Sequence, residues 1–520
     1  MKKKFLSMAL AAVMVTGLLG GCGSSASTKT NSAASSTAAN SKASSGTAAA
    51  GTSTKKLDTS KEVDLVMYIV GDRPAGQDVN DENFNKIIKK KLNCTLNLKW
   101  IPWSDYGNKY PLLFSSGEQF DMAYTAGWLN FTSLAQKGAF MSLDNLWPTY
   151  APKNYAAASK AAKQQATVAG HIYAVPTLLS TYGAYGPIYR TDIMEGTNWD
   201  GKMETFDDIE KYCDIVKAKH PELEPIDIYS AGSEWDDTYM WSLGYQSSKG
   251  ASNDFLFYDP TEANPKLFTY YECKQTPAFL EMMNRWNKKG FFTKSALSDT
   301  DSTKIQNGKA ALRTHNVDNL ANYSTLHPEY KLKYSNMVKY MKHLPYTQDA
   351  MVISNTSQNP ERAMALWDLI TSDQSVYDAF FYGVLGTTYK LNDKGQYSIT
   401  DSNQYAASNM WAARTPELNR NIAGTPDSYN QWKQSFEKSI TADNTAEKYA
   451  SFTLDTSSIE TEYAACMSVH QQYWWPLELG YTDATTGLAE YKQKMEAAGI
   501  EKVRAELQKQ LDAYVAGLKK

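Results

Sequence analysis

The chain has 520 residues, with 53 Lys and Arg against 56 Asp and Glu, a formal net charge of −3 and no block of basic residues. That balance excludes nucleic acid as a partner, because neutralising phosphates takes clustered Lys and Arg. The length exceeds what a single hydrophobic core holds, and the composition beyond residue 60 is uniform, so two lobes are expected rather than a string of unrelated modules.

Met1-Lys2-Lys3-Lys4 and the apolar run Phe5 to Leu18 read as the charged and apolar regions of a secretory signal, the run being below the roughly 18 residues that span a bilayer. The following Leu19-Gly20-Gly21-Cys22 resembles a bacterial lipobox. That resemblance implies a signal peptide over residues 1–21 and a diacylglycerol anchor on the Cys22 thiol. From Gly23 to about Ser60 the chain is Ser, Thr, Ala, Gly, Asn and Lys apart from Asp58, with Leu57 its one sizeable apolar side chain. Such a segment buries too little surface to offset its ordering entropy, so residues 22–60 are expected to be a disordered tether.

The folded part opens with an apolar, β-branched run, Val63 to Val70, then helical spacing over Phe84 to Leu92 and strand alternation over Thr95 to Trp100, a βαβ unit. Tyr106 to Ser116 reads as a helix ended near Gly117, and Phe120 to Tyr124 as a buried strand. Thr205-Phe206-Asp207-Asp208 has the form of a capping box opening a helix to about Lys219. Asn359-Pro360-Glu361 offers an N-cap side chain, proline at the first helical position and a negative charge at the positive end of the dipole. Leu488 to Ala498 and Ile500 to Leu518 read as two amphipathic helices broken at Gly499. Strand and helix interleave throughout, the α/β pattern.

Beyond Cys22 the cysteines are Cys94, Cys213, Cys273 and Cys466, widely spaced and without a CxxC pair. They are expected to be buried thiols, or at most one or two disulfides, and not metal ligands. The chain has no HExxH, GxSxG, Walker loop or GxGxxG, and its six histidines are scattered. No metal, cofactor or nucleophilic catalysis is therefore expected. Abundant carboxylates keep open a surface-anchored glycoside hydrolase, which needs two of them about 5 to 9 Å apart.

Six segments in consistent order carry a family resemblance. Leu112-Leu113-Phe114-Ser115-Ser116-Gly117-Glu118-Gln119-Phe120-Asp121-Met122 is similar to the "L-x-SGE-x-x-D-I" segment of family 1 extracellular solute-binding proteins of sugar ABC transporters. Gly138-Ala139-Phe140-Met141-Ser142-Leu143-Asp144, Gly170-His171-Ile172-Tyr173-Ala174-Val175-Pro176, Ile188-Tyr189-Arg190-Thr191-Asp192, Asn307-Gly308-Lys309-Ala310-Ala311 and Asn359-Pro360-Glu361-Arg362-Ala363 resemble further segments of that family. Ser451-Phe452-Thr453-Leu454-Asp455 and the stretch from Ala498 to Leu511 resemble its lipoprotein branch, which carries an extra C-terminal segment. His171 stands where the family usually has lysine, and Met410-Trp411-Ala412-Ala413-Arg414 only loosely matches a "W-x-x-G-N" segment.

The resemblance implies a two-lobe periplasmic-binding-protein-like fold of class II type, with a hinge and an interlobe ligand cleft. Lobe one is expected over 62–178 and 313–371, lobe two over 179–312 and 372–520. It implies an oligosaccharide captured by hinge closure and delivered to ABC permease subunits by a monomer anchored through Cys22 to the extracellular face of the membrane. A sugar-sensing receptor is the remaining alternative. The ligand-binding residues expected from it are Trp128, Tyr182, Tyr185, Trp235, His315, Asn316 and Trp411, with His315 and Asn316 on the return crossover; core packing is the competing role for the tryptophans and an ordinary hinge role for Tyr182, Tyr185, His315 and Asn316. Trp241, Trp474 and Trp475 are read as packing, Asp236 and Asp237 as possible hydroxyl acceptors, and Asp121 as structural. The neutral Tyr, Ser, Thr and Asn of the crossover segments favour an uncharged sugar over a zwitterion, with Arg313 the residue that could answer a uronic acid carboxylate in a bidentate contact.

Overall fold

The first strand, β1 (Val63–Val70), buries Leu65, Met67 and Ile69 and leaves Val66 and Tyr68 half-buried between them, the period of a strand lying on a core. It pairs in parallel along its whole length with β2 (Cys94–Ile101), from Val63 opposite Cys94 to Val70 opposite Ile101. The connection is the helix Gln77–Leu92, which starts earlier than the expected Phe84. Its inward face opens with the amides of Gln77 and Asn80 ahead of Phe84 and Ile88, and polar inward residues leave no mark in a hydrophobic period. The computed structural model describes residues 57–102, 106–229, 234–249, 254–299, 301, 303–400, 410–424 and 427–518. Cys22, the expected lipidation site, and nearly all of the expected tether lie outside the described residues.

Seven further strands complete the two larger sheets: β3 (Met122–Thr125), β4 (Val175–Pro176), β5 (Tyr185–Tyr189), β6 (Glu224–Ile226), β7 (Ala310–Asn316), β8 (Lys333–Tyr334) and β9 (Ala350–Ile353). The first sheet has the order β2-β1-β3-β9-β4, the second β8-β5-β7-β6. Each carries its own core. Leu65, Met122, Trp147, Met351 and Trp367 belong to the first, and Tyr212, Ile226, Trp235, Trp286 and Leu312 to the second.

The chain leaves the first sheet after Pro176, enters the second at Tyr185, and returns between Tyr334 and Ala350. The two crossing segments run side by side. Gly183 N–H donates to the Lys342 carbonyl and Leu344 N–H to the Thr181 carbonyl, each at 2.9 Å, and Tyr182 faces His343 in an antiparallel bridge. At Gly186 the return segment comes so close that a Cβ would overlap the Ser335 carbonyl oxygen.

The packing differs from the expected lobe division at two places. Arg313, His315 and Asn316 do not form the return crossing: they lie in β7, paired with β5 as far as Asn316 opposite Tyr185. A strand ending in Arg-Thr-His-Asn has the polarity of a loop, and only its partner identifies it. Likewise residues beyond Ser372 stay with the first core, which includes Val376, Tyr377, Tyr389 and Met410, because the helix Gln374–Phe381 packs Phe380 on Phe84 at 5.2 Å. The second core takes up the chain again at Tyr449 and keeps Phe452, Cys466, Trp474, Val503 and Leu507.

Local signals are met unevenly. Thr205 and Asp208 form both bonds of the capping box on Phe206–Lys219. The helix Pro360–Ile370 begins at its proline, but the Asn359 side chain makes no capping bond. Gly499, at φ 93°, separates Ala484–Ala497 from Ile500–Leu518. Cys94, Cys213, Cys273 and Cys466 are all buried free thiols. Among the described residues no helix is long and apolar enough to cross a membrane.

Candidate functional site

Against the paired crossing segments lies a groove with walls from both cores. The first core contributes Trp128, Phe131 and Gln165, the return crossing Pro345, Thr347 and Gln348, and the second core's side Lys249, Phe452, Leu454 and Tyr463. The groove is open to solvent, and the space held between its walls is small, some 80 Å³. A smaller recess shares Gln348 and is lined by Tyr185, Trp241, Gln246, Ser247, Lys342 and Leu344.

Trp128 sits in a single helical turn, Gly127–Leu129, directly after β3. Leu129 is buried and fixes the turn, while Asn130 ends it in the left-handed conformation, φ 60°. The half-buried indole of Trp128 meets Tyr106 edge-on at 5.6 Å and Tyr124 at 5.9 Å. Trp411 approaches the same Tyr124 at 6.0 Å. Tyr124 donates its hydroxyl to Asp349 Oδ1 at 2.7 Å, and Arg414 Nη2 lies 2.5 Å from Asp349 Oδ2. Burial and the Asp349 carboxylate push the Tyr124 phenol well above its ordinary range, so it remains a donor. The aromatic floor is thus pinned to the return crossing.

In the recess, Tyr185 packs on Trp241 at 4.6 Å and lies 6.5 Å from His315. Lys342, on the return crossing, is 7% exposed, and burial lowers its ammonium to about 8 against the pull of Glu447. Its neighbour His343 is held by Glu447 and Glu437 at 2.9 and 3.0 Å.

Of the residues expected from sequence, Trp128 lines the groove and Tyr185 the recess, with His315 beside Tyr185 at the end of β7. Asn316 turns to its own backbone, accepting from Asp318 N–H at 2.7 Å. Tyr182 lies on the crossing segment and donates to Glu437 at 3.0 Å, lining neither cavity. Trp411 is half-buried packing against Tyr124. Trp235 is corrected outright: it opens the helix Trp235–Leu243, has no exposed surface, and meets Trp286 edge-on at 5.3 Å in the second core.

Asp236 is likewise internal, its Oδ2 accepting from Trp474 Nε1 at 2.8 Å and Tyr270 Oη at 3.1 Å. Arg313 is buried against Tyr229, with its guanidinium 4.7 Å from that ring and Nη2 3.1 Å from its hydroxyl. It is engaged inside the second lobe rather than offered to a ligand. Asp121 is structural, accepting from Val66 N–H at 3.0 Å and Ser357 Oγ at 2.6 Å.

Sequence reasoning missed Trp241, Gln348, Lys342 and the stretch Phe452 to Thr456. Trp241 had one available signal: it is six residues from Trp235, which puts the two on different sides of one helix at about 100° per residue. The others carry no local mark, since the crossing segments and the C-terminal stretch become neighbours only on folding.

The family model described as bacterial extracellular solute-binding protein matches residues 75–377, more than half of the chain, and a domain of unknown function matches residues 448–516. The chain is 24% identical over 482 residues to a carbohydrate ABC transporter substrate-binding protein of Streptococcus pneumoniae serotype 4, covering 90% of this chain and 94% of that one. Among solved structures it is similar to the N-glycan transport solute binding protein NgtS of Streptococcus pneumoniae in complex with Man1GlcNAc. That likeness has 21% identity and a TM-score of 0.73, over 88% of this chain and all of that one. The alginate-binding protein AlgQ2 superposes with a TM-score of 0.61 at 15% identity, over 87% and 98% of the two chains. The paired crossing segments, the two sheets with separate cores and the family match agree: this chain belongs to the bacterial extracellular solute-binding proteins and has their two-lobe fold.

Proposed function

We propose that this chain captures an oligosaccharide in the groove and delivers it to an ABC permease, working from the extracellular face of the membrane, where a lipid on Cys22 anchors it. One observation carries the reading: a groove with walls from both lobes, and the recess that shares Gln348 with it, combine aromatic faces with neutral amides and hydroxyls. Trp128 and the Tyr185–Trp241 pair offer faces to the apolar C–H surface of pyranose rings. Asn130, Gln165, Thr347, Gln348 and Gln246 offer donors and acceptors to hydroxyls that lose water on binding. The likeness to a carbohydrate ABC transporter substrate-binding protein and to an N-glycan transport solute binding protein supports the same class.

The mechanism is a population shift. A sugar that touches both walls binds the closed arrangement better than an open one, and that differential affinity alone moves the equilibrium. The crossing segments act as the hinge, and no bond is made or broken.

A thermal-shift screen of neutral and acidic oligosaccharides tests the reading. A ligand at a hundred times its dissociation constant adds about 2.7 kcal/mol to the folded state and raises the midpoint accordingly. No shift with any glycan, or the appearance of cleavage products, overturns it. Deleting the protein should abolish growth on the sugar that binds, and Cys22→Ser should release it into the medium.

A further inference from the structure

The C-terminal stretch matched by a domain of unknown function, residues 448–516, supplies much of one side of the groove. Phe452, Thr453, Leu454, Thr456 and Tyr463 line it together with first-lobe residues Trp128 and Phe131. The position of this lip is set by the last helix of the same stretch. Gln510 accepts from Asp455 N–H at 2.9 Å and donates Nε2 to the Asp455 carbonyl at 2.7 Å. Tyr514 packs on Phe452 at 5.3 Å and donates its hydroxyl to the Lys448 carbonyl at 2.9 Å.

Three polar contacts run from the first lobe to this stretch. Gln136 Nε2 donates to Asp455 Oδ2 at 2.6 Å, Lys137 Nζ lies 2.5 Å from Glu460 Oε2, and Gln165 Nε2 donates to Ser451 Oγ at 3.0 Å. Gln165 also accepts from Tyr346 N–H on the return crossing at 2.7 Å, so one side chain touches the hinge and the lip. Separating the lobes breaks all three contacts. Exposed pairs of this kind are individually weak, so they bias closure without enforcing it, which suits a clamp that must open again.

We infer that residues 448–516 form a ligand-selecting jaw: the lip from Phe452 to Thr456 with Tyr463 sets which saccharide fits against Trp128 and Phe131, and the contacts of Gln136, Lys137 and Gln165 latch the jaw over it. The inference rests on the reading of the groove as an oligosaccharide site. A stretch with no assigned function thereby acquires one, in specificity and in the lifetime of the bound state.

The test uses the full chain, the glycan giving the largest thermal shift, and a glycan array. Thr453→Arg places a bulky side chain in the groove from an exposed position and should lower affinity more than tenfold while leaving the unliganded melting midpoint in place. Leu454→Ala should reorder preference on the array. The double variant Gln136→Ala, Lys137→Ala, which keeps the groove-lining Gln165, should weaken every glycan by a similar factor, roughly several-fold, through faster dissociation. Wild-type affinity, array profile and dissociation rate in all of these variants would overturn the jaw alone. Absence of glycan binding by the unaltered protein would overturn the oligosaccharide reading, and the jaw with it.

Discussion

Arg414 Nη2 lies 2.5 Å from Asp349 Oδ2, and the other oxygen of the same carboxylate accepts the Tyr124 hydroxyl at 2.7 Å. Three distant parts of the chain, the third strand, the return crossing and the stretch after Ala413, thus meet on one buried carboxylate. Asp349→Ala removes the carboxylate from a buried guanidinium and a buried phenol, leaving Arg414 its Trp411 carbonyl at 3.2 Å and Tyr124 the Gln348 carbonyl at 3.3 Å. It should cost about 3 to 5 kcal/mol in urea unfolding, with Asp349→Asn losing less because it keeps an acceptor.

The two tryptophans expected as platforms should behave differently. Trp235→Ala empties a fully buried site beside Trp286 and should destabilise the protein by about 3 to 5 kcal/mol. Trp128→Ala, at a half-buried position lining the groove, should cost less stability and more glycan affinity. Denaturant melts and calorimetric titrations on both variants separate the roles.

His343 stands between Glu447 and Glu437, and the bond to Glu447 raises its pKa above the ordinary histidine value despite burial. A raised base stabilises the fold fully below its unfolded pKa and loses that contribution as pH rises through the folded one. His343→Gln should therefore cost more stability at about pH 5.5 than at about pH 9, where the imidazole is neutral in both states. Melting midpoints across that range check the sign.

Lys342 has the opposite sign. Its pKa falls from 10.5 to about 8 through burial, so the unfolded chain binds more protons and stability rises with pH between those values. Lys342→Met should stabilise the protein at neutral pH by up to about 3 kcal/mol, an advantage that shrinks towards about pH 10.5. Urea midpoints at several pH values test it.

The four described cysteines are free and buried, and burial raises Cys94 to about 11 and Cys466 to about 12, which makes those two poor nucleophiles. A thiol reagent added to the folded protein should leave all four unmodified and react with them only after denaturation. Reductant should leave the melting midpoint unchanged.

Much of the local architecture was legible in the sequence. Val63–Val70 follows from its own alternation and β-branched content, and the Thr205 capping box and the Gly499 break from side chains acting within a few residues. The helix start at Gln77 was hidden because its inward face begins with amides. A place on the lining of the groove or the recess was legible only where it follows from the adjacent strand, as with Trp128 after β3 and Tyr185 at the start of β5.

What tertiary structure alone decided is which face of an element meets which neighbour. Trp235 and Trp241 share one helix, yet the first is locked against Trp286 and the second lines the recess with Tyr185. Arg313 to Asn316 resembles a crossing until β5 pairs with it, and Phe452 becomes a groove wall only because Tyr514 and Gln510 hold its stretch in place. Capping, turn and period preferences act over a few residues and can be read along the chain. Groove walls come from segments hundreds of residues apart, and their juxtaposition is set by core packing that no local pattern encodes.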